Sequence, residues 1–215
     1  MTKALIYTAL FSVCLCHSGC QSGKLISAGD EPEALSNAIE DATFVTHEAT
    51  AGRLLIDPDN TQITFTGKAG PITHAGSFQR FSGFMDIRSD DPTDGKLEVQ
   101  IEMDSVKTRI NLLTRHLKSK DFFEVKNFPT SSFISTDIES TENPGEYSLN
   151  GRLTIHGVTR HVKIPAKIQV RPTEVLMELK WDVNQTDYRM DKGALRAQNV
   201  VPITVTASLP RATAD

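Results

Sequence analysis

Past residue 20 this 215-residue chain has no cysteine; Cys14, Cys16 and Cys20 all lie in its first twenty positions. A disulfide framework and a Cys-based zinc site are therefore excluded from the body. Tryptophan occurs once and tyrosine three times, too few for the aromatic girdles of a membrane-spanning barrel. Neither sign of charge prevails: the formal net charge is −4, which gives no footprint for nucleic acid, and none is expected as a partner. Also missing are a Gly-x-Ser-x-Gly elbow, a phosphate loop and a His-Glu-x-x-His motif. His156 and His161 sit five apart around a turn, with His74 and His116 elsewhere in sequence. Zinc wants three or four ligands, so these read as turn or surface histidines and no metal is expected. Asp57 and Asp59, with Asp187 imaginable as an acid partner, are explained more simply by turn formation. The reading is non-enzymatic, with no catalytic residue and no cofactor.

Long hydrophobic runs are absent except for residues 4–16, broken only by Thr8 and Ser12 and preceded by Lys3. Thirteen residues are short for a transmembrane helix and suit the apolar stretch of an export signal. Ser18-Gly19-Cys20 follows and looks like a bacterial lipobox, with Cys20 the lipidated first residue of the mature chain. His17 departs from that pattern, since an aliphatic residue is usual there. Gln21 in the next position, rather than Asp, favours the outer membrane, with the body facing the periplasm. The alternative is an ordinary cleaved signal and a periplasmic or secreted protein. The expected organisation is a signal peptide over 1–19, a flexible tether over 20–51, a β domain over 52–210 and a tail over 211–215.

From Arg53 onward the apolar period is two. Leu97, Val99, Ile101 and Met103 alternate with Glu98, Gln100, Glu102 and Asp104, and similar alternation recurs to Leu209. Roughly eight strands result, each apolar on one face, with turn signals at Asp57-Pro58-Asp59-Asn60, Asn143-Pro144-Gly145 and His156-Gly157. That pattern predicts an all-β fold, a closed antiparallel barrel or a two-sheet sandwich. One stretch breaks it. Val106, Ile110, Leu113 and Leu117 recur at helical spacing, which predicts an amphipathic helix over about 106–119, capped by Ser105 or Thr108 and lying at a barrel mouth. The helix runs into Phe122, Phe123, Phe128 and Phe133, four of the ten phenylalanines within twelve residues. So much aromatic area closes a core or lines an apolar pocket.

Residues 52–209 resemble the YceI-like family of exported lipid-binding proteins. The resemblance is carried in order by Ile56-Asp57 with Ile63-Thr64-Phe65, Thr73-His74-Ala75-Gly76-Ser77-Phe78 with Phe81-Ser82-Gly83, and Ser105-Val106-Lys107-Thr108. His116-Leu117-Lys118-Ser119-Lys120-Asp121-Phe122-Phe123, Phe128-Pro129 and Gly151-Arg152-Leu153-Thr154-Ile155-His156-Gly157 continue it. Asn60-Thr61 and the stretch around Gln185 and Arg189 depart from the family pattern. The resemblance implies an eight-stranded lipocalin-like barrel holding a long apolar molecule, a polyisoprenoid or isoprenoid quinone. A chain of about forty carbons could contribute on the order of 12 kcal/mol at ~0.3 kcal/mol per heavy atom. It also suggests a homodimer formed through barrel surfaces.

Cavity candidates are Phe65, Phe81, Phe84, Met85, Leu113, Leu117, Phe122, Phe123, Phe128, Phe133, Met177 and Trp181. At most one of Phe122 and Phe123 would face inward if the two lie in a strand. Arg189 and Arg196 are candidates for a polar headgroup. Two rivals differ in what fills the barrel. An envelope interaction or stress module predicts solid core and an exposed apolar patch, and an enzyme on a lipid or quinone predicts titrating groups inside.

Overall fold

Eleven antiparallel strands and one helix build the domain, in a computed structural model that describes residues 47, 52–69, 71–190 and 199–211. The leader, most of the tether, Cys20 and Arg196 lie outside the described residues. In chain order the strands are β1 (Arg53–Ile56), β2 (Thr61–Ala69), β3 (Ile72–Phe78), β4 (Phe81–Asp86), β5 (Lys96–Glu102) and β6 (Val106–Thr108). After helix α1 (Asn111–Lys118) come β7 (Thr130–Ser140), β8 (Glu146–Ile155), β9 (Val158–Val170), β10 (Glu174–Asn184) and β11 (Val200–Pro210).

The count is eleven rather than eight because two barrel strands are bent and one short strand is added. β3 and β4 are separated only by Gln79 and Arg80, and β5 and β6 only by a 3-10 turn over Met103–Ser105. Across the bend the ladder is carried by Gln79 N–H to the Ser105 carbonyl (3.3 Å) and Glu102 N–H to the Arg80 carbonyl (3.0 Å). The sheet order β1-β4-β5-β7-β8-β9-β10-β11-β2-β3-β6 therefore curls back on itself through the continuous chain of β3 and β4. The extra strand β1 pairs with β4, where the Arg53 guanidinium donates to both Asp86 oxygens (2.8 and 2.9 Å). Those hydrogen bonds hold the Asp86 carboxyl below its ordinary pKa.

The predicted helix is shorter than its apolar spacing suggested. Val106 and Thr108 belong to β6, paired with Phe78 and Gly76 of β3, because their alternation and β-branching suit a pleated edge. Ser105 is not a cap but the pivot of the bend. Its Oγ donates to the Glu102 carbonyl (2.6 Å) and accepts from Gln79 N–H (3.2 Å). Thr108 is no cap either: Ile110 holds that position in extended backbone, without a side-chain cap bond. Ile110 is consequently 48 % exposed, whereas Leu113 and Leu117 turn inward.

The two ends of the barrel are filled differently. Met85, Ile138, Leu149, Val175 and Leu209 are at most 1 % exposed and pack one end solid. The other end gathers the β2–β3 hairpin tip, α1 and residues 119–128, the β8–β9 turn and the connection from β10 to β11, as the strand registers require. At that end the wall is split. β9 pairs with β10 only from Val170↔Val175 to Ala166↔Leu179, although both strands continue. The next residue of β9 is Pro165, which has no N–H to donate, and the ladder stops there.

Candidate functional site

Inside the split end lies an apolar cavity of about 260 Å³. Its wall alternates around the sheet because every second side chain points inward: Ile63 and Phe65 from β2, Val99 and Ile101 from β5, Leu153 and Ile155 from β8, Met177, Leu179 and Trp181 from β10, and Ile203 and Val205 from β11. Leu113, His116 and Leu117 of α1 roof it. Polar groups are few and gather toward the mouth, where exposed Lys68 joins His74, His116 and Gln185.

Phe65 lies over the strand beside it. A Cβ on Gly76, its partner in the register, would sit 2.2 Å from the ring's Cζ, so glycine is what admits the aromatic there. Phe65, Phe78 and Phe123 then form a row of rings, with centroids 5.7 and 6.0 Å apart. Phe122 stacks edge-on against His116 at 4.9 Å.

Phe122 and Phe123 both line the cavity, against the expectation that a strand would turn one outward. The segment is not a strand. Phe122 N–H bonds the Ser119 carbonyl (3.1 Å), Phe123 N–H the Leu117 carbonyl (3.0 Å) and Glu124 N–H the Ser119 carbonyl (2.9 Å), with Glu124 in the left-handed region at φ 46°. Successive tight turns remove the strict alternation of a strand.

Of the other candidates, Phe65, Leu113, Leu117, Phe133, Met177 and Trp181 stand on the cavity wall. Phe81, Phe84, Met85 and Phe128 do not, and each for its own reason. Phe81 and Met85 point inward but are sealed in packed core. Phe84 is on the outer face, under the Arg53 guanidinium (3.9 Å) and edge-on to His47 (4.8 Å). Phe81, Gly83 and Met85 share one face of β4 at the two-residue period, which puts Phe84 on the other. Phe128 packs on the β8–β9 turn, 4.2 Å from the His156 ring, where a Cβ on Gly157 would lie 2.6 Å from its edge. Arg189 ends a 3-10 turn at φ 57°, exposed and away from the cavity wall.

Sequence reasoning missed the mouth residues Lys68, His74 and Gln185, and it undervalued His156. His156 occupies the turn as expected, at φ 51°, but its side chain is 11 % exposed. Its Nδ1–H donates to the Tyr188 carbonyl (3.2 Å), and Nε2 lies 3.5 Å from Glu124 Oε2, without a hydrogen-bond partner among the described residues. It thus braces the phenylalanine loop against the end of β10. Burial, and then the neighbouring Asp187 charge, raise the Tyr188 hydroxyl pKa, which keeps it protonated.

Beside the cavity, where β9 and β10 part, is a second, polar hollow of about 350 Å³. Arg160 and His161 stand on one lip and Asp182 and Asn184 on the other. Leu153, Trp181 and Val183 belong to both hollows and divide them. The Trp181 indole Nε1 is buried without a hydrogen-bond partner among the described residues.

A curled antiparallel sheet, solid at one end and hollow and apolar at the other under a single helix, defines a cup-shaped antiparallel β-barrel. The chain belongs to the YceI-like domain family, whose sequence model matches residues 55–209. A UPF0312 protein of Pectobacterium atrosepticum is 34 % identical over 93 residues, 43 % of this chain and 47 % of that protein. The match thus spans about half the length of that relative. Among solved structures, BcnA of Burkholderia cenocepacia superimposes with a TM-score of 0.64 at 18 % identity, over 71 % of this chain and 96 % of that one. A polyisoprenoid binding domain from Saccharophagus degradans, implicated in plant cell wall breakdown, gives 0.62 at 15 % identity, over 76 % and 100 %. These structural likenesses establish the fold.

Proposed function

We propose that this protein holds a long apolar molecule, a polyisoprenoid or isoprenoid quinone, in the hollow end of the barrel, as a carrier or reservoir in the cell envelope. The observation that carries the reading is the cavity wall, built almost wholly of aliphatic and aromatic side chains around unfilled space. The polyisoprenoid binding named for the Saccharophagus degradans domain supports it. A volume of about 260 Å³ falls just under the ~300–1,000 Å³ of small-molecule pockets. Only part of a long chain is enclosed, and the remainder leaves by the mouth or the split wall. Native mass spectrometry of protein purified from membranes should show a co-purifying apolar mass. Trp181, the only tryptophan, should change its emission when that mass is extracted. A barrel that is empty from every preparation, and takes up no added isoprenoid quinone, would sink the reading.

The same reading places the protein at the outer membrane, facing the periplasm, through lipid on Cys20, which would keep the cup near a ligand that barely dissolves in water. Cys20→Ser is expected to move the protein from the membrane to the soluble fraction; unchanged pelleting with membranes rules out this anchor.

A further inference from the structure

We infer that the hollow end of the barrel is itself a docking surface for an anionic lipid bilayer, separate from any attachment through Cys20. Among the described residues the large exposed hydrophobic side chains are Ile72 (58 %), Ile110 (48 %), Leu112 (69 %) and Val200 (43 %). All four lie at the hollow end. Ile72 is at the tip of the β2–β3 hairpin, which the Gly76↔Thr108 pairing sets alongside residues 109–112. Ile110 and Leu112 begin α1, and Val200 begins β11, which runs beside β2. Leu113 and Leu117 take the cavity side of α1, which leaves Leu112 facing away from the barrel.

The charges at this end have the sign that a phospholipid surface attracts. Lys68, Lys107, Arg109, Arg115, Lys118 and Lys120 have no ion-pair partner among the described residues, and residues 105–120 include no carboxylate. Elsewhere on the barrel cations are largely neutralised, as in Lys163–Glu139 (3.2 Å), Lys167–Glu146 (3.3 Å) and Arg171–Glu174 (3.1 Å). Carboxylates at the hollow end among the described residues are Asp121, Glu124, Asp182 and Asp187, together with Glu102 and Asp104, which pair with Arg80. In a chain with formal net charge −4, this is segregation of charge rather than general basicity. Apolar side chains projecting from a ring of free cations match an anionic interface, where the former enter the headgroup region and the latter meet phosphate. Docked this way, the mouth opens at the membrane surface.

The test is flotation of the full chain carrying Cys20→Ser, expressed without export, on vesicles of phosphatidylcholine alone or with about one-third phosphatidylglycerol. Binding should be about tenfold or more stronger on the anionic vesicles and should fall as ionic strength rises from about 0.05 to 0.5 M. Arg109→Glu with Arg115→Glu, and separately Ile72→Ser with Leu112→Ser, should each reduce it about tenfold. Lys163→Glu with Lys167→Glu, the same change of net charge on the barrel wall, should leave it unchanged. Equal binding to both vesicle types overturns the proposal. So does binding that survives both sets of end substitutions, which would assign it to the leader's apolar run, or equal loss in the wall variant, which would make net charge the cause. A thermal melt confirms that each variant is folded before it is scored.

Discussion

Leu149→Ala should lower the unfolding free energy by about 3–5 kcal/mol, whereas Leu153→Ala, four residues along the same strand, should cost about 2 kcal/mol or less. Leu149 is fully buried in the solid end, so its truncation loses transfer free energy and leaves a new void with no atoms to fill it. Leu153 already borders unfilled space, so only the transfer loss applies, and a bound apolar molecule would recover part of it. For a domain of this size the Leu149 variant should melt about 10 °C lower. Denaturant and thermal unfolding of the two variants, each measured after ligand extraction, check the difference. Equal costs would mean that the two ends are packed alike.

Gly76→Ala should reduce the co-purifying apolar mass about tenfold while costing only about 1–3 kcal/mol in stability. The added Cβ would lie 2.2–2.8 Å from three atoms of the Phe65 ring. Neither strand can give easily, since β2 is held between β3 and β11. The ring must therefore swing off β3, and the open direction is the cavity it already lines. A methyl group outside the cavity would thus act as a plug inside it. Native mass spectrometry of wild type and variant from parallel preparations reads the effect. Full ligand occupancy in a folded Gly76→Ala protein would show that the cavity is not where the molecule sits.

The fold was legible because one-faced alternation is a strong local signal, and because the Asp57, Asn143 and His156 turns stand where their residues suggest. The strand count was less so. Nothing in the local pattern at Gln79-Arg80 or at Met103–Ser105 says that a strand bends there rather than ending. The helix entry failed for a related reason: Val106 and Ile110 fit a helical stripe in sequence, but pairing with β3, a tertiary contact, claimed Val106. For the site, parity identified inward-facing residues and could not say which end of the barrel would be filled. That is why Met85 and Met177, alike in sequence, are core and cavity wall respectively. The turns after α1, which admit both Phe122 and Phe123, depend on a left-handed Glu124, a conformation that non-glycine residues seldom advertise.

Pro165 has a further consequence. A barrel sealed on every side would have to be threaded end-on, so a long chain could enter only as fast as its tip found the opening. Here residues 158–164 of β9 and 181–184 of β10 are not paired with each other in the ladder. The seam can widen without breaking a rung of the ladder, and a chain can be laid in sideways, segment by segment, like a thread into a slotted needle. For the proposed apolar ligand, the rate of filling would then be set by side chains at the seam, Trp181 and Val183 among them, and not by the stability of the sheet.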